Sequence, residues 1–299
     1  MNLFKGSFFD YKVDFKFDII LGNPPYNPPN SIGTGNVIYP LFIKQSLNLL
    51  IDDGYLLFIT PPTYRKALSI LTQKSPYKDL FNLMTKENQM IYLKIFDLKD
   101  GKSIFNVGTR FDIYLIQKKP IYKNTIIIGI DKKEYDINLK EWNFLPHGNF
   151  NFVKKLLAKP NDNKCEVLYN RSNYETRRKW VSSIKTNEYK YPLIDAINKD
   201  GIKYYYSSIN DKGLFGIPKI IFGTSGINNP IIDIEGSYGM TEHAIGIKIN
   251  SIEEGNLIKK AITSDKFLYN MKEYFIWSSY LIDWNLFTLF KEDFYKEFI

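Results

Sequence analysis

An apolar segment that runs directly into two prolines constrains this chain more than any other sequence feature. Phe17–Gly22 reads Phe-Asp-Ile-Ile-Leu-Gly, and Asn23, Pro24, Pro25 and Tyr26 follow it. Proline fixes φ at about −65° and has no backbone N–H, so the strand cannot continue and the loop presents carbonyl oxygens. The segment therefore predicts a buried strand that ends in a stiff loop.

The next hundred residues alternate apolar runs with amphipathic stretches. The spacing of apolar residues predicts a helix over 38–50 that is stopped by Asp52-Asp53-Gly54. Four further strands are predicted at 55–60, 93–98, 111–116 and 125–130, the last two as a pair joined through Lys118-Lys119-Pro120. Continuous apolar strands joined by helices are typical of a parallel sheet covered on both faces.

The sequence changes character after residue 145. A helix-like run at 152–157 is followed by a polar segment, 160–185, and then by short β-rich runs at 203–206, 218–222 and 245–249. The end, 253–299, is predicted to be helical and aromatic. We therefore predict two domains, an α/β domain over 1–144 and an α+β domain over 145–299.

Cysteine and histidine are too few for several classes of protein. The single Cys165 excludes a disulfide framework and a cysteine-based zinc cluster, and two histidines make a His-rich metal site an unfavourable interpretation. We predict no metal. The chain also lacks an apolar run of the ~18–20 residues that a membrane span needs, and its start does not resemble a signal peptide. The expectation is a soluble, cytoplasmic protein without membrane contact.

Charge and aromatic content bear on partners. The net charge is +8, and the chain holds 22 Tyr, 22 Phe and 4 Trp. A basic, aromatic protein suits a polyanion with stackable rings, as in nucleic acids. A lysine-rich surface that is merely solvated gives the same composition, so both interpretations stay open.

The loop after the first strand has the groups needed to hold an amino group. Asn23 offers an amide oxygen, Pro24 a backbone carbonyl and Tyr26 an aromatic face. The loop leaves the carboxyl end of a strand, where open α/β sheets bind their ligands. Two acceptors and a ring would hold the exocyclic NH₂ of a planar base and orient its nitrogen toward a methyl donor. The alternative is a proline turn in which Tyr26 only packs.

The Asn-Pro-Pro-Tyr loop resembles the motif of amino-group methyltransferases that use S-adenosylmethionine. The resemblance covers residues 1–130 and extends to the rest only by architecture. It implies a partial Rossmann-like methyltransferase sheet, S-adenosyl-L-methionine as cofactor, and binding of the target nitrogen by Asn23, Pro24, Pro25 and Tyr26.

Two flanking segments resemble further parts of that family. Residues 6–10 resemble the end of the preceding strand, which carries an acidic contact to the cofactor adenine, although Ser7 stands where an acidic residue is expected. The implied cofactor-binding residues are Ser7, Phe8, Asp10 and Asn23. Residues 103–109 resemble a loop whose aromatic side chain packs on the flipped base, which makes Phe105 a candidate. A core Phe before a strand is its alternative.

Which amino group is modified depends on the second half. The motif is shared by DNA adenine-N6 enzymes, some RNA methyltransferases and enzymes that modify a protein glutamine. The long aromatic extension matches a target-recognition domain, which holds duplex DNA while a base is flipped. We therefore expect a site-specific adenine-N6 DNA methyltransferase of a restriction-modification system, with the other two substrates or a non-catalytic DNA-binding module as alternatives. The predicted DNA-binding residues, for which a solvated basic face is the alternative, are Arg110, Arg171, Arg177, Arg178 and Lys179.

The glycine-rich loop that holds the methionine part of the cofactor is missing from the expected place. The family carries it on a first strand well before the Asn-Pro-Pro-Tyr loop, but only 22 residues precede Asn23. Three explanations are open. The chain is the C-terminal part of a longer or split enzyme with an N-terminal part or companion chain, a permuted enzyme that uses Gly223–Gly226, or a degraded relative.

Overall fold

The computed structural model describes residues 6–11, 13–29, 37–67, 75–276 and 282–299. The chain divides into two compact units, 1–150 and 151–299. Both contain strands and helices, so the protein is mixed α/β, with three sheets among the described residues.

The first unit is built on a six-stranded sheet with the order β1-β2-β4-β3-β5-β6. Its strands and helices are β1 (Phe17–Gly22), α1 (Tyr39–Leu49), β2 (Leu50–Thr60), α2 (Leu80–Asn82), β3 (Gln89–Phe96), α3 (Leu98–Phe105), β4 (Phe111–Gln117), β5 (Thr125–Ile128) and β6 (Glu134–Ile137). The pairs β1–β2 and β3–β5 are parallel, whereas the other three pairs are antiparallel.

The predicted pairing of 111–116 with 125–130 is wrong, and the sheet is mixed rather than parallel. β4 lies between β2 and β3, so the hydrogen bonds on both of its sides are already used. β5 pairs instead with β3 and β6. Hydrophobic pattern identifies a strand but does not identify its neighbour.

The helix predicted over 38–50 is confirmed as α1, but its predicted stop is wrong. β2 begins at Leu50 and continues through Asp52-Asp53-Gly54. This segment is held in the sheet by the end of β4, because Asp53 N donates to Lys118 O at 2.9 Å and Lys118 N donates to Gly54 O at 2.8 Å. Asp53 adopts a left-handed conformation, φ 64°, which aspartate tolerates better than most residues.

β1 is present where it was predicted, but it is exposed rather than buried. Ile19 and Leu21 are 61% and 72% exposed. The reason is the position of β1 at the edge of the sheet, where β2 is its single partner among the described residues. An apolar edge strand with free backbone groups is a template for pairing with another strand.

We expect the exposed edge to cause concentration-dependent self-association of the isolated chain. Changing Ile19 and Leu21 to lysine together should reduce association, because like charges along an edge oppose strand pairing. Sedimentation velocity across a concentration series measures the effect. Ile104→Lys is the matched control, because Ile104 is 56% exposed on α3 and not on an edge strand. Association that persists in the double variant would contradict this role of β1.

The second unit holds two four-stranded sheets, with the orders β13-β9-β10-β8 and β12-β11-β14-β7. Its elements, after α4 (Phe150–Leu156), are β7 (Val167–Leu168), β8 (Val181–Ser182), β9 (Tyr191–Asn198), β10 (Gly201–Ser207), β11 (Lys219–Gly223), β12 (Gly226–Asp233), β13 (Gly239–Met240), β14 (Ala244–Lys248), α5 (Ile252–Ile262), α6 (Asp265–Tyr274) and α7 (Trp284–Phe287). The predicted β-rich runs and the helical end are confirmed.

One core cluster of this unit joins its two sheets. Leu193 and Ile194 of β9 pack with Ile221 of β11 and Met240 of β13, and all four side chains are at most 1% exposed. β11 and β12 form a hairpin in which Gly223, the last residue of β11, pairs with Gly226, the first residue of β12. The permuted alternative requires a helix after that glycine loop to bind an anionic group, and the observed strand argues against it.

Candidate active site

The five residues predicted to be catalytic lie at one end of the six-stranded sheet, where β1, β2 and β3 finish. Gly22, the last residue of β1, lies opposite Phe58 near the end of β2. Thr60 at the end of β2 lies opposite Asp112, and Phe96 at the end of β3 lies opposite Phe111. This end of the sheet consists of residues 22–26, 60–65, 96–97 and 105–112 and is called the loop edge below. It differs from the lateral edge of the sheet that is formed by β1.

The Asn-Pro-Pro-Tyr loop alternates exposed and buried side chains. Asn23 and Pro25 are exposed, Pro24 is buried and Tyr26 is half-buried. The Tyr26 carbonyl accepts a hydrogen bond from Ile38 N at 3.0 Å, which ties the loop to the start of α1. The buried Pro24 therefore anchors a loop that presents the Asn23 amide to solvent.

The Tyr26 ring packs in a cluster of tyrosine side chains. It meets the ring of Tyr39 edge-on, with centroids 6.4 Å apart, and Tyr39 meets Tyr77 in the same way at 5.8 Å. Burial raises the pKa of Tyr26, and the nearby charge of Asp112 raises it further. Burial likewise raises the pKa of Tyr64 and Tyr114. These groups therefore remain neutral phenols in the physiological range.

A buried ion pair lies behind this loop, and sequence reasoning missed it. Arg65 and Asp112 are both fully buried. Arg65 Nε donates to Asp112 Oδ2 at 2.6 Å and its Nη2 donates to Oδ1 at 3.0 Å. Such a two-pronged contact fixes the orientation of both groups.

The remaining N–H groups of Arg65 bind the segment that follows β6. Its Nη1 donates to the carbonyls of Leu145 and Pro146 at 2.9 and 3.0 Å, and Nη2 lies 3.1 Å from His147 Nδ1. Because arginine only donates, His147 Nδ1 accepts and carries no proton. All five donors of Arg65 are used, so this side chain joins the 3₁₀ turn after β2, Pro62–Arg65, to β4 and to the segment at 145–147. No local sequence signal marks it, because its partners are 47 to 82 residues away.

Phe105 lies on the loop edge but not in a loop. It is the last residue of α3, whose first turn is closed by a capping box between Asp97 and Asp100. The Phe105 ring meets Phe111 edge-on at 5.0 Å, and Phe111 stacks on Phe96 at 4.4 Å. At 38% exposed, Phe105 retains an open face. Its position is compatible with both the stacking role and the packing role.

Residues 6–10 do not form the end of a strand, which corrects the expectation for the local structure of this segment. Phe8–Asp10 form a 3₁₀ turn, and the Ser7 hydroxyl accepts from Phe9 N at 3.3 Å as its N-cap. Phe8 stacks on Phe42 of α1 at 5.1 Å. Phe9 also contacts Phe42, with ring centroids 4.7 Å apart, so this turn packs on α1.

A groove of about 520 Å³ runs along β1 beside this turn. Its lining, which does not include Ser7 or Asp10, consists of Gly6, Phe8, Tyr11, Phe17, Ile19, Ile20, Leu21 and Leu49. Among the described residues, the lining suits the flat face of a ring and offers no charged group to the charged end of a cofactor.

The predicted basic residues of the second unit surround a carboxylate. Glu175 is 2.7 Å from Arg177, 3.8 Å from Arg178 and 3.9 Å from Arg171. The Arg178 guanidinium lies 5.8 Å from the centre of the Trp180 ring, and Lys179 is exposed. These residues are brought together, whereas Arg110 lies in the first unit, half-buried at the start of β4.

Two classes of feature are absent from the described ranges. They contain no group of three or more His, Cys, Asp or Glu side chains placed to hold a metal ion. None of their helices is long and apolar enough to cross a membrane.

Comparison of the sequence with known proteins gives a family match and a distant relative. Residues 1–105 match the model of the Eco57I restriction-modification methylase family. A Methanocaldococcus jannaschii protein, described as a type II restriction enzyme and methyltransferase, is 29% identical over 179 residues. That match covers 54% of this chain and 14% of the relative, so the chain spans a small part of the relative's length.

Solved structures of restriction-modification enzymes are similar at low identity. The type IIL enzyme MmeI, solved in complex with DNA, is matched over 88% of this chain and 45% of its own, with 10% identity and a TM-score of 0.42. The modification subunit of a type I restriction enzyme from Vibrio vulnificus is matched over 42% of this chain and 29% of its own, with 12% identity and a TM-score of 0.31. Most of the loop edge thus lies in residues 1–105, whose sequence matches the model of the Eco57I restriction-modification methylase family, and residues 106–112 follow the matched range.

Proposed function

We propose that this chain is part of a site-specific DNA adenine-N6 methyltransferase of a restriction-modification system. The observation that carries the proposal is the Asn-Pro-Pro-Tyr loop at the carboxyl end of β1, with Asn23 exposed and Tyr26 half-buried. The family match over residues 1–105 supports the methyltransferase and its restriction-modification context. The adenine substrate rests on the chemistry of the loop.

The proposed roles of the loop residues follow from their groups. The Asn23 amide oxygen and the Pro24 carbonyl oxygen accept hydrogen bonds from the two N–H groups of an exocyclic amino group, and Tyr26 stacks on the base. These two hydrogen bonds raise the electron density on the amino nitrogen and orient its lone pair. The phenol ring remains neutral because burial and Asp112 raise the pKa of Tyr26. Phe105 is proposed to cover the other face of the base.

S-adenosylmethionine is the proposed methyl donor. The described residues fit the acceptor side of such a site but do not fit the donor side. Ser7 caps a turn, and the described residues that line the groove along β1 carry no charge. We therefore propose that the charged end of the cofactor is held by a polypeptide that supplies the rest of the sheet beside β1, either in the same longer protein or in a companion chain.

The two units are proposed to have different roles. The first unit holds the flipped base, and the second binds duplex DNA through its exposed arginines, of which Arg171 and Arg177 have side chains 71% and 78% exposed. Cations of this kind neutralise phosphates and position the duplex.

Methyl transfer with product analysis tests the substrate. The chain is supplied with a polypeptide that carries the glycine-rich half of the fold, tritiated S-adenosylmethionine, and DNA, RNA or protein in separate reactions. Label in N6-methyladenine of duplex DNA is the expected result. Label found in RNA or in glutamine would transfer the proposal to one of the alternative substrates.

The chain alone is expected to bind duplex DNA and to methylate it at background level. Binding should weaken steeply as salt rises, because each phosphate contact releases counterions. Fluorescence anisotropy measures binding, and calorimetry with S-adenosylmethionine measures the cofactor. Tight cofactor binding together with robust transfer by the 299-residue chain would contradict the proposal that residues outside these 299 hold the charged end of the cofactor.

Tyr26→Ala is expected to lose stacking of ~1–3 kcal/mol on the flipped base, while Tyr26→Phe keeps most of it. A duplex with 2-aminopurine at the target position reports flipping as a rise in fluorescence. Tyr122→Ala is a matched control, because Tyr122 is 55% exposed and precedes β5 at the other end of the sheet. Equal flipping by the wild type and Tyr26→Ala would assign Tyr26 a packing role only.

A further inference from the structure

A carboxylate in the second unit lies at an irregularity of the β9–β10 ladder. Ala196 pairs with Lys203 and Ile194 pairs with Tyr204, so Asp195 is the extra residue of a β-bulge. A bulge bends its strand and re-aims a side chain, and bulges are common beside functional sites. The Asp195 side chain is 2% exposed.

Three donors from two elements converge on this carboxylate. Lys203 Nζ lies 2.9 Å from Oδ2, and Oδ1 accepts from Thr241 Oγ1 at 2.7 Å and from His243 Nδ1 at 3.0 Å. Since a carboxylate only accepts, His243 carries a proton on Nδ1. Burial by itself raises the pKa of Asp195, but the hydrogen bonds from Lys203, His243 and Thr241 hold it below its ordinary value.

Two of these donors are presented at the surface. The Lys203 and His243 side chains are 59% and 54% exposed. Lys203 uses one N–H on Asp195 and also contacts the Tyr205 side chain, which leaves at least one N–H for a ligand. The hydrogen bond to Asp195 also raises the pKa of Lys203, which keeps it cationic. With its Nδ1–H donated to Asp195, His243 has its other ring nitrogen, Nε2, 4.0 Å from Glu242 Oε1. Nε2 donates to a phosphate oxygen only when the ring carries a second proton, which makes it an imidazolium.

The same surface continues into the arginine cluster. Glu242, next to His243, accepts from Thr176 N at 3.0 Å and from Thr176 Oγ1 at 2.9 Å, and Arg177 follows Thr176. The carboxylates of this surface are more buried than its cationic side chains. The side chains of Glu175, Glu242 and Asp195 are 16%, 12% and 2% exposed. We call the outer layer the cation face, which consists of Arg171, Arg177, Arg178, Lys203 and His243.

We propose that Lys203 and His243 bind phosphates of duplex DNA, and that Asp195 is the positioning residue that orients both. The proposal rests on the proposed function, which gives this unit its DNA partner, and adds two contact residues that lie 25 or more positions from the arginine segment in sequence. A carboxylate in a bulge that holds two half-exposed donors pre-organises them, so less side-chain freedom is lost on binding.

Anisotropy titration of a labelled mixed-sequence duplex, repeated across a salt series, tests the proposal with the full chain. Lys203→Met should weaken binding by ~5–10-fold near 0.1 M salt and lower the salt slope by about 0.9, the value of one phosphate contact. His243→Gln should weaken binding with a smaller change in slope. Lys248→Met is the matched control, because Lys248 is an exposed lysine of the same unit paired with Glu166 at 2.8 Å.

Asp195→Asn separates positioning from simple electrostatics. If charge alone matters, removing the negative charge of Asp195 strengthens the binding of DNA, and this result contradicts the orienting role. Weaker binding supports the orienting role, provided that the variant keeps the circular dichroism spectrum of the wild type. The Lys203 and His243 variants alter exposed side chains and carry the test even if Asp195→Asn fails to fold. Unchanged affinity in both of them, with DNA binding by the wild type, overturns this inference alone. A wild-type chain that binds no duplex overturns the DNA partner and the inference together.

Discussion

Asn23→Ala is expected to reduce methyl transfer to DNA by ~10²–10³-fold, because a positioned polar contact that strengthens in the transition state is removed. Asn23 is exposed on a loop anchored by the buried Pro24 and by the hydrogen bond from Ile38 N to the Tyr26 carbonyl. Truncating its side chain therefore leaves the loop in place. DNA binding, which depends on the second unit in this proposal, should change little.

The measurement combines initial rates of tritium transfer with anisotropy of the same preparations. Transfer is assayed with the polypeptide that supplies the glycine-rich half, and a fall in rate at unchanged DNA affinity is the expected result. Asn27→Ala provides the matched control, since Asn27 is an exposed asparagine four residues further along the same loop. Transfer that survives Asn23→Ala at the rate of the control would remove Asn23 from the site.

Arg65→Met is expected to destabilise the first unit by ~3–5 kcal/mol, because it leaves the Asp112 carboxylate buried without its partner. Arg65 and Asp112 are both fully buried, and Arg65 also holds the carbonyls of Leu145 and Pro146. Its loss therefore breaks the contact between β4 and the segment after β6 as well as the ion pair.

Urea denaturation measures this effect, and a double variant isolates its cause. Arg65→Met with Asp112→Leu should recover much of the loss, since replacing both members of a buried pair by apolar groups removes the uncompensated charge. Lys119→Met is the surface control. Its pair with Asp53 is about half exposed, and such pairs contribute ~0–1 kcal/mol. If Arg65→Met cost no more than this control, the buried network would not hold the loop edge together.

The pH dependence of stability offers a separate check on Asp195 in the second unit. Its folded pKa lies below its ordinary value, so the carboxylate contributes stability above its unfolded pKa and loses it as pH falls through the folded value. Asp195→Asn should flatten the acid limb of the unfolding curve. An unchanged acid limb would show that the three donors do not hold the ionised carboxylate in solution.

The sequence by itself determined the local elements of this protein. Two prolines after an apolar run specify where β1 ends and that the loop presents carbonyls, and the apolar spacing at 38–50 specifies α1. The same local pattern, Asn-Pro-Pro-Tyr behind a strand, carries the resemblance to amino-group methyltransferases, and residues 1–105 match a restriction-modification methylase family. Such features are readable because they depend on φ, on missing N–H groups and on side-chain periodicity over a few residues.

Only the tertiary structure decided which strands pair and which distant side chains meet. β4 lies between β2 and β3 although β5 follows it in the chain. Arg65 contacts Asp112 and His147, which are 47 and 82 positions away in the sequence, and Asp195 contacts His243, which is 48 positions away. These contacts depend on burial, because a buried charge or backbone group must find a partner wherever the fold places one. That requirement is met in three dimensions and leaves no periodic signal in the sequence.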